Sequence, residues 1–199
     1  MKLVYGVGIN DLRDDPSHLS FRRNFQGQNS WTCPFYKKWK DVLKRCYSEK
    51  FLQKKPTYRG CSMCEEWKTF SNFMAWMKTQ PWEGKELDKD ILIPGNKLYS
   101  PETCVFVSPA LNSLLGTRMR STGGVRKCNK KFEARVSLGH KSLSLGVFAT
   151  VEQAKAERKK HLSKHILKVA ENLTEGDTSD VEKTKQGLIR HVKEGHIFK

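Results

Sequence analysis

The sequence carries two pairs of residues whose spacing suits metal coordination, and the first is a pair of cysteines. Cys61 and Cys64 form a CxxC motif, the spacing at which two thiolates bind one zinc ion. A structural zinc needs two further ligands, and Cys33, Cys46 or Cys104 could supply them, but the sequence has no second CxxC or CxxH. A single pair favours the alternative, a set of reduced and buried thiols.

The second pair consists of His161 and His165, which lie four residues apart in a segment with helical periodicity. This spacing places both imidazoles on one face of a helix, where they could chelate a metal ion. Lys159, Lys160 and Lys164 surround them. Because two histidines lack a third ligand, we favour a basic helix face that lies near phosphates.

The charge of the chain is concentrated in one region. The chain has 37 Lys and Arg residues against 21 Asp and Glu, which gives a net charge of +16. Residues 117–168 hold 14 of those basic residues and only three of the acidic ones. A local excess of this kind indicates a docking face for a polyanion. The charge alone leaves double-stranded DNA, RNA and an acidic protein open as partners, with nucleic acid favoured.

The elements that position this charge form a small sheet and one helix. Residues 130–138, KKFEARVSL, alternate so that Lys131 and Arg135 face away from the apolar residues. KSLSLGVF is the next strand, and three of its apolar residues are expected to face inward: Leu143, Leu145 and Val147. A helix starts after Thr150, with acid and amide residues in its first turn. The sequence therefore predicts a sheet with a helix across one face and a basic opposite face.

The segment GGVRKCNKKFEARVSLGHKSLSLGVFATVEQAKAERKKHL resembles the ethylene-response-factor type DNA-binding domain. In that family a three-stranded sheet lies in the DNA major groove, so the resemblance assigns Arg126, Lys131 and Arg135 to the DNA face. Arginines can bind guanine edges, whereas lysines mostly neutralise phosphates. Neighbouring basic residues complete the predicted DNA-binding set: Arg118, Arg120, Lys127 and Lys130. Phe132 and Ser144 stand where the family has tryptophan, so its base preference does not carry over.

Upstream of this segment, the spacing of apolar residues predicts helices from Pro34 to Tyr47 and from about Glu65 to Met77. A hairpin over residues 86–107 follows, with apolar runs at 91–93 and 104–107 around a turn at 94–96. Ser108 then precedes a proline as the N-cap of a short helix.

The stretch LDKDILIPGNKLYSPETCVFVSPALN, residues 87–112, resembles the HNH (His-Me finger) nucleases, which in bacteriophages include homing endonucleases fused to such DNA-binding modules. In that family a strand pair and a helix hold one divalent metal, which implies Mg²⁺ or Mn²⁺ here. The resemblance places Asp88 and Asn112 at metal-ligand positions and Asn96 at the loop asparagine. Lys89 stands where the family has its general-base histidine.

Lys89 leaves two functions open. A nuclease base must accept a proton near neutral pH, whereas an exposed lysine has a pKa of about 10.4 and is protonated. Burial beside a metal could lower that pKa, or Asp90 could serve as ligand or base. The first hypothesis is a homing or nicking DNA endonuclease, a hydrolase that cleaves phosphodiesters with a divalent metal. The alternative is a catalytically inactive DNA-binding protein that modulates host or phage machinery.

The sequence thus predicts an α+β chain: a degenerate HNH-like ββα region, then a small three-stranded antiparallel sheet packed on one helix. The expected domains are 1–30, a strand and an irregular segment; 31–116, HNH-like; 117–170, DNA-binding; and 171–199, a tail with a helix at 181–192. No apolar run approaches the roughly 18 residues that span a bilayer, so no membrane partner is expected. With no stretch resembling a signal peptide, we expect a cytoplasmic location, in the host if the protein is phage-encoded.

Overall fold

The computed structural model describes residues 3–15, 33–116, 124–138 and 141–195. These residues form an α+β structure with a small three-stranded antiparallel sheet, which confirms the expected fold class. The helices are α1 Pro34–Tyr47, α2 Glu49–Lys54, α3 Phe70–Lys78, α4 Pro109–Gly116, α5 Val151–Glu171 and α6 Val181–Lys193. The strands are β1 Ser62–Met63, β2 Glu86–Asp88, β3 Leu98–Tyr99, β4 Val105–Val107, β5 Val125–Cys128, β6 Lys131–Leu138 and β7 Lys141–Phe148.

The chain divides into two compact units whose bounds differ from the expected domains. The first comprises residues 1–83 and 96–104, and the second comprises residues 84–95 and 105–199. The expected 31–116 region is therefore divided, because β2, β4 and α4 belong to the same unit as the C-terminal sheet and helices. The physical reason is a shared apolar core, which local sequence patterns do not reveal.

The first unit is built around aromatic side chains of α1 and α3. Trp39 is fully buried, its indole Nε1 donates a 2.7 Å hydrogen bond to the carbonyl oxygen of Trp67, and its ring lies 5.4 Å from that of Phe70. β1 and β3 add a short parallel pair. Within the expected domain 1–30, the apolar run at residues 3–9 predicts a strand, and this prediction is wrong. The segment is a tight turn closed by a bridge between Val4 and Gly8.

The second unit holds the antiparallel pair of β2 and β4, in the register Glu86 with Val107 and Asp88 with Val105. A single core joins this pair to α4, α5 and α6 through buried apolar residues: Ile91, Leu92, Val105, Val107, Leu111, Ile166, Ala170 and Leu188. The predicted helix near the C-terminus is thus a core element rather than a tail. The hydroxyl of Ser108 accepts a hydrogen bond from the backbone N–H of Leu111, which confirms the predicted N-cap of α4.

The three-stranded sheet has the strand order β5-β6-β7, and α5 packs on its inner face around Val125, Ala134 and Ala154. An irregularity in the β6–β7 register lies between Ala134 and Arg135. It places Val147 opposite Glu133 on the outer face, where Val147 is 54% exposed. The expectation that Val147 faces inward is therefore wrong, because one extra residue in a strand reverses the alternation beyond it.

Candidate nucleic-acid interface and candidate metal centre

The outer face of the three-stranded sheet carries the predicted basic residues. Register pairs Arg126 on β5 with Glu133 on β6, and alternation places Lys131 and Arg135 on the same side. Lys131 is exposed, the Arg126 side chain is 69% exposed, and the Arg135 side chain is 40% exposed. Three cationic side chains therefore project to one side of β5 and β6.

Glu133 lies at the centre of this outer face and was not anticipated as a site residue. Its carboxylate accepts a 2.7 Å hydrogen bond from Ser144, and it lies 3.6 Å from Nε of Arg126 and 3.4 Å from Nη1 of Arg135. The bond from Ser144 and then the two arginines hold the pKa of Glu133 below its usual value. The alternation of β6 already gave the face of Glu133, but only the fold shows its partners.

The other predicted DNA-binding residues have different positions. Lys127 is exposed on β5, and Lys130 is exposed in the two-residue turn between β5 and β6. Asn129 precedes it with a φ of 55°, a left-handed conformation that asparagine tolerates better than most residues. Arg118 and Arg120 lie outside the described residues.

A buried arginine of α5 fixes the backbone beneath Arg135. Nε of Arg158 donates a 3.2 Å hydrogen bond to the carbonyl oxygen of Arg135, and burial lowers the pKa of the Arg158 guanidinium. Gly124 approaches both closely with a φ of +72°, and a side chain at this position would lie 2.8 Å from that same carbonyl oxygen. The helix therefore holds in place the strand segment from which Arg135 projects.

The predicted metal ligand Asp88 makes local hydrogen bonds at the end of β2. One carboxylate oxygen, Oδ1, accepts hydrogen bonds of 2.7 Å from the backbone N–H groups of Asp90 and Ile91. Burial raises the pKa of Asp88, against the opposing effect of these bonds. These bonds turn the chain out of the strand, so the strand that we expected to include 91–93 ends at Asp88 instead.

Lys89 and Asp90 form an ion pair beside this turn. The Lys89 side chain is 6% exposed, and its Nζ lies 2.6 Å from Oδ1 of Asp90. Nε2 of His191 on α6 lies 2.7 Å from the carbonyl oxygen of Asp90, and Arg190 donates to the carbonyl oxygen of Leu92. No spacing in the sequence pointed to these α6 residues, because they are about a hundred positions away.

Asn112 and Asn96, the two predicted asparagines, are in different units. The Asn112 amide donates to the carboxylate of Glu86, which lies two residues before Asp88 and hence on the same side of β2. Asn96 instead hydrogen-bonds to the backbone of Leu98 through both its amide nitrogen and its oxygen. Glu86 and Asn112 are therefore in contact, Asp88 lies on the same side of β2, and Glu86 could have been found from the period of the strand.

The donor set of this group is two carboxylates and one amide, the hard oxygen ligands that Mg²⁺ and Mn²⁺ prefer. Oδ1 of Asp88 is engaged by backbone amides, so any cation would use few protein oxygens and retain several waters. Within the described ranges, no cluster of three or more His, Cys, Asp or Glu residues has a metal-binding arrangement. The donor chemistry fits a loosely held hard cation.

The structure describes all six cysteines, and none of them is joined in a disulfide. Four of them are buried, namely Cys33, Cys46, Cys61 and Cys104, while Cys64 is half-buried and Cys128 is exposed. Burial raises the pKa of the Cys64 thiol, which disfavours the thiolate that zinc requires. Zinc at the CxxC stays an untested prediction.

In comparisons with known proteins, the chain matches no protein-family model, no curated protein and no solved structure. Function must therefore be argued from the chain's own residues. Among the helices of the described residues, none combines the length and the apolar character needed to cross a membrane.

Proposed function

We propose that this protein binds duplex DNA through the outer face of its three-stranded sheet. The observation that carries the proposal is the projection of Arg126, Lys131 and Arg135 from one side of β5 and β6. A two-stranded ribbon of this kind fits the major groove, where arginines bind guanine edges and lysines neutralise phosphates. Glu133 holds both arginines from one point, which limits the orientations they sample before contact.

The test is a binding titration of labelled duplex DNA by fluorescence anisotropy, repeated over a range of salt concentrations. We expect R126Q/R135Q to weaken binding and to reduce the slope of log K against log salt by about 1.8, or about 0.9 per lost phosphate-equivalent contact. K50Q/K54Q, which removes the same charge from the exposed surface of α2, should leave both quantities near wild type. Equal losses in the two variants would refute a specific sheet-face site.

Competition with duplex RNA tests whether the protein distinguishes DNA from RNA. The deep, narrow major groove of A-form RNA does not admit a β-ribbon, so RNA should displace the DNA poorly at fixed salt. Displacement by RNA at equal concentration would instead favour non-specific phosphate binding.

We propose metal-dependent cleavage of that DNA as a second candidate function, because Glu86, Asp88 and Asn112 lie together at β2 and α4. Glu86 and Asp88 would hold the cation, with Asn112 orienting Glu86. A bound Mg²⁺ or Mn²⁺ would supply an activated water for phosphodiester hydrolysis. Lys89 is ion-paired with Asp90, so the side chain at the position of the general base is already engaged by a carboxylate. This pairing favours the catalytically inactive alternative, unless Asp90 serves as the base.

Supercoiled plasmid incubated with the protein and manganese tests this activity. EDTA and the variants D88N and E86Q are the controls, and D88N keeps an oxygen that can accept the two backbone hydrogen bonds. Nicked product that disappears in all controls would support a nuclease. Unchanged plasmid together with salt-dependent binding would support a DNA-binding protein without catalysis.

A further inference from the structure

The longest helix of the chain, α5, has a row of lysines on its solvent side. Its buried residues recur at every fourth position, namely Ala154, Arg158, Leu162, Ile166 and Ala170. The same four-residue spacing relates three lysines: Lys160, Lys164 and Lys168. The first of them follows Arg158 by two residues, which corresponds to a rotation of about 200° around the helix axis. All three are exposed. The lysine row therefore points directly away from the face that α5 packs against the rest of its unit.

The lysine row and the proposed DNA face lie on opposite sides of the layers formed by the three-stranded sheet and α5. The N-terminal half of α5 covers the inner face of the sheet through Ala154, while Arg126 and Arg135 project from the outer face. The helix layer thus separates the two basic surfaces. A straight duplex seated on the outer face of the sheet cannot also contact the lysine row.

Within the described part of the chain, the lysine row has no ion-pair partner. Lys168 also acts on a neighbouring group, since burial, His161 and Lys168 together lower the pKa of His165. Polyanion binding would relieve this repulsion between neighbouring cations.

We propose that the lysine row of α5 is a second duplex-binding site, so that one chain holds two DNA segments. The proposal rests on the function proposed above, in which the sheet binds the first segment. Successive lysines of the row lie about 6 Å apart along the helix axis, so the row extends over about 12 Å. A duplex presents one phosphate per strand every 3.4 Å or so along its axis, and a row of that length can follow a phosphate backbone. We assign the contact to phosphates, because lysine acts on DNA mainly as a point charge that neutralises phosphate.

The experiment is a capture assay with the full chain. Unlabelled duplex is immobilised on beads and loaded with protein, and capture of a second, fluorescent duplex is then measured over a range of salt concentrations. We expect wild-type protein to capture the second duplex. K160Q/K164Q/K168Q should bind the immobilised duplex as wild type does but reduce capture of the second by about tenfold or more, and lower the salt slope of capture by up to about 2.7.

A matched variant, K50Q/K54Q/K55Q, removes three exposed lysines from the first unit and should keep capture near wild type. Equal capture by the two triple variants would overturn the second site while leaving the sheet-face function intact. R126Q/R135Q should keep part of its binding to the immobilised duplex through the lysine row, and complete loss of that binding would overturn the second site. Failure of wild-type protein to bind the immobilised duplex would overturn both proposals. The second-site proposal would also be overturned if anionic lipid vesicles bound to the lysine row and no second duplex was captured.

Discussion

The hydroxyl of Ser144 on β7 donates a 2.7 Å hydrogen bond to the carboxylate of Glu133 on β6. Serine makes this bond with a small side chain whose hydroxyl can rotate towards its acceptor. Serine at this position therefore helps to place an acidic group at the centre of a basic face. The negative charge of that carboxylate repels the phosphates of DNA.

Glu133→Gln should raise the affinity for duplex DNA of arbitrary sequence. Removing the carboxylate eliminates its repulsion of phosphates, and we expect this gain to exceed the cost of leaving the two arginines less ordered, giving a roughly two- to fivefold lower Kd at low salt. The difference should shrink as salt rises. Anisotropy titrations of Glu133→Gln against Glu175→Gln, which removes the same charge from an exposed loop, measure it. A Kd that is unchanged at low salt would contradict the central position of Glu133 in the interface.

Asp88→Asn should alter how stability depends on pH. Burial raises the pKa of Asp88 in the folded protein above its ordinary 3.8, so the folded state holds the proton more tightly than the unfolded state does. The free energy of unfolding therefore falls as pH rises from about 4 through that raised pKa. The asparagine variant lacks this contribution and should be at least as stable as wild type at neutral pH.

Urea denaturation of both proteins at several pH values between 4 and 7 tests this expectation. Wild type should lose stability relative to Asp88→Asn as pH rises through this range. If Asp88→Asn instead loses stability relative to wild type as pH rises from 4 to 7, the Asp88 charge stabilises the fold.

Gly187→Ala should destabilise the second unit. A methyl group on Gly187 of α6 would overlap the carbonyl oxygen of Ile91 and lie 3.0 Å from Cα of Leu92, both of which are backbone atoms. Relief requires a shift of the helix, so we expect a loss of about 1–3 kcal/mol in the free energy of unfolding. Gly176→Ala, in an exposed loop, is the matched control. Equal stability of the two variants would show that α6 is not tightly packed on this segment.

Thr150→Ala should weaken the start of α5. The Thr150 hydroxyl accepts from the backbone N–H of Gln153, and the Gln153 side chain accepts from the backbone N–H of Thr150. Loss of the hydroxyl costs about 1 kcal/mol in such caps. Thermal unfolding should show the loss in Thr150→Ala and near-complete recovery in Thr150→Ser. A matching loss in Thr150→Ser would point to the methyl group of threonine instead.

Local patterns predicted much of the second unit. The alternation of residues 131–138 correctly placed Lys131, Glu133 and Arg135 on one face, because successive side chains in a strand point to opposite sides. The cap at Thr150 and the helix at 181–193 were also readable, since caps and helical periodicity depend only on near neighbours. Alternation failed at Val147, where an irregularity in strand pairing intervenes.

The candidate metal centre was predicted only in part. Asp88 and Asn112 are in one unit, but the structure adds Glu86 and places Asn96 in the other. The apolar pattern predicted one hairpin over residues 86–107, whereas two compact units share that stretch. The unit to which each residue belongs depends on burial against distant segments. The spacing of residues within this stretch does not indicate it.

The sequence by itself determined the basic character of residues 117–168, the outward face of β6 and the cap and periodicity of α5, because these follow from charge, strand geometry and near-neighbour hydrogen bonding. Only the tertiary structure decided that Glu133 joins two arginines, that α6 packs on residues 90–92 and that Lys89 is buried against Asp90. Those relationships arise from packing between segments far apart in the chain, where burial of apolar surface selects the partners and the polar contacts follow.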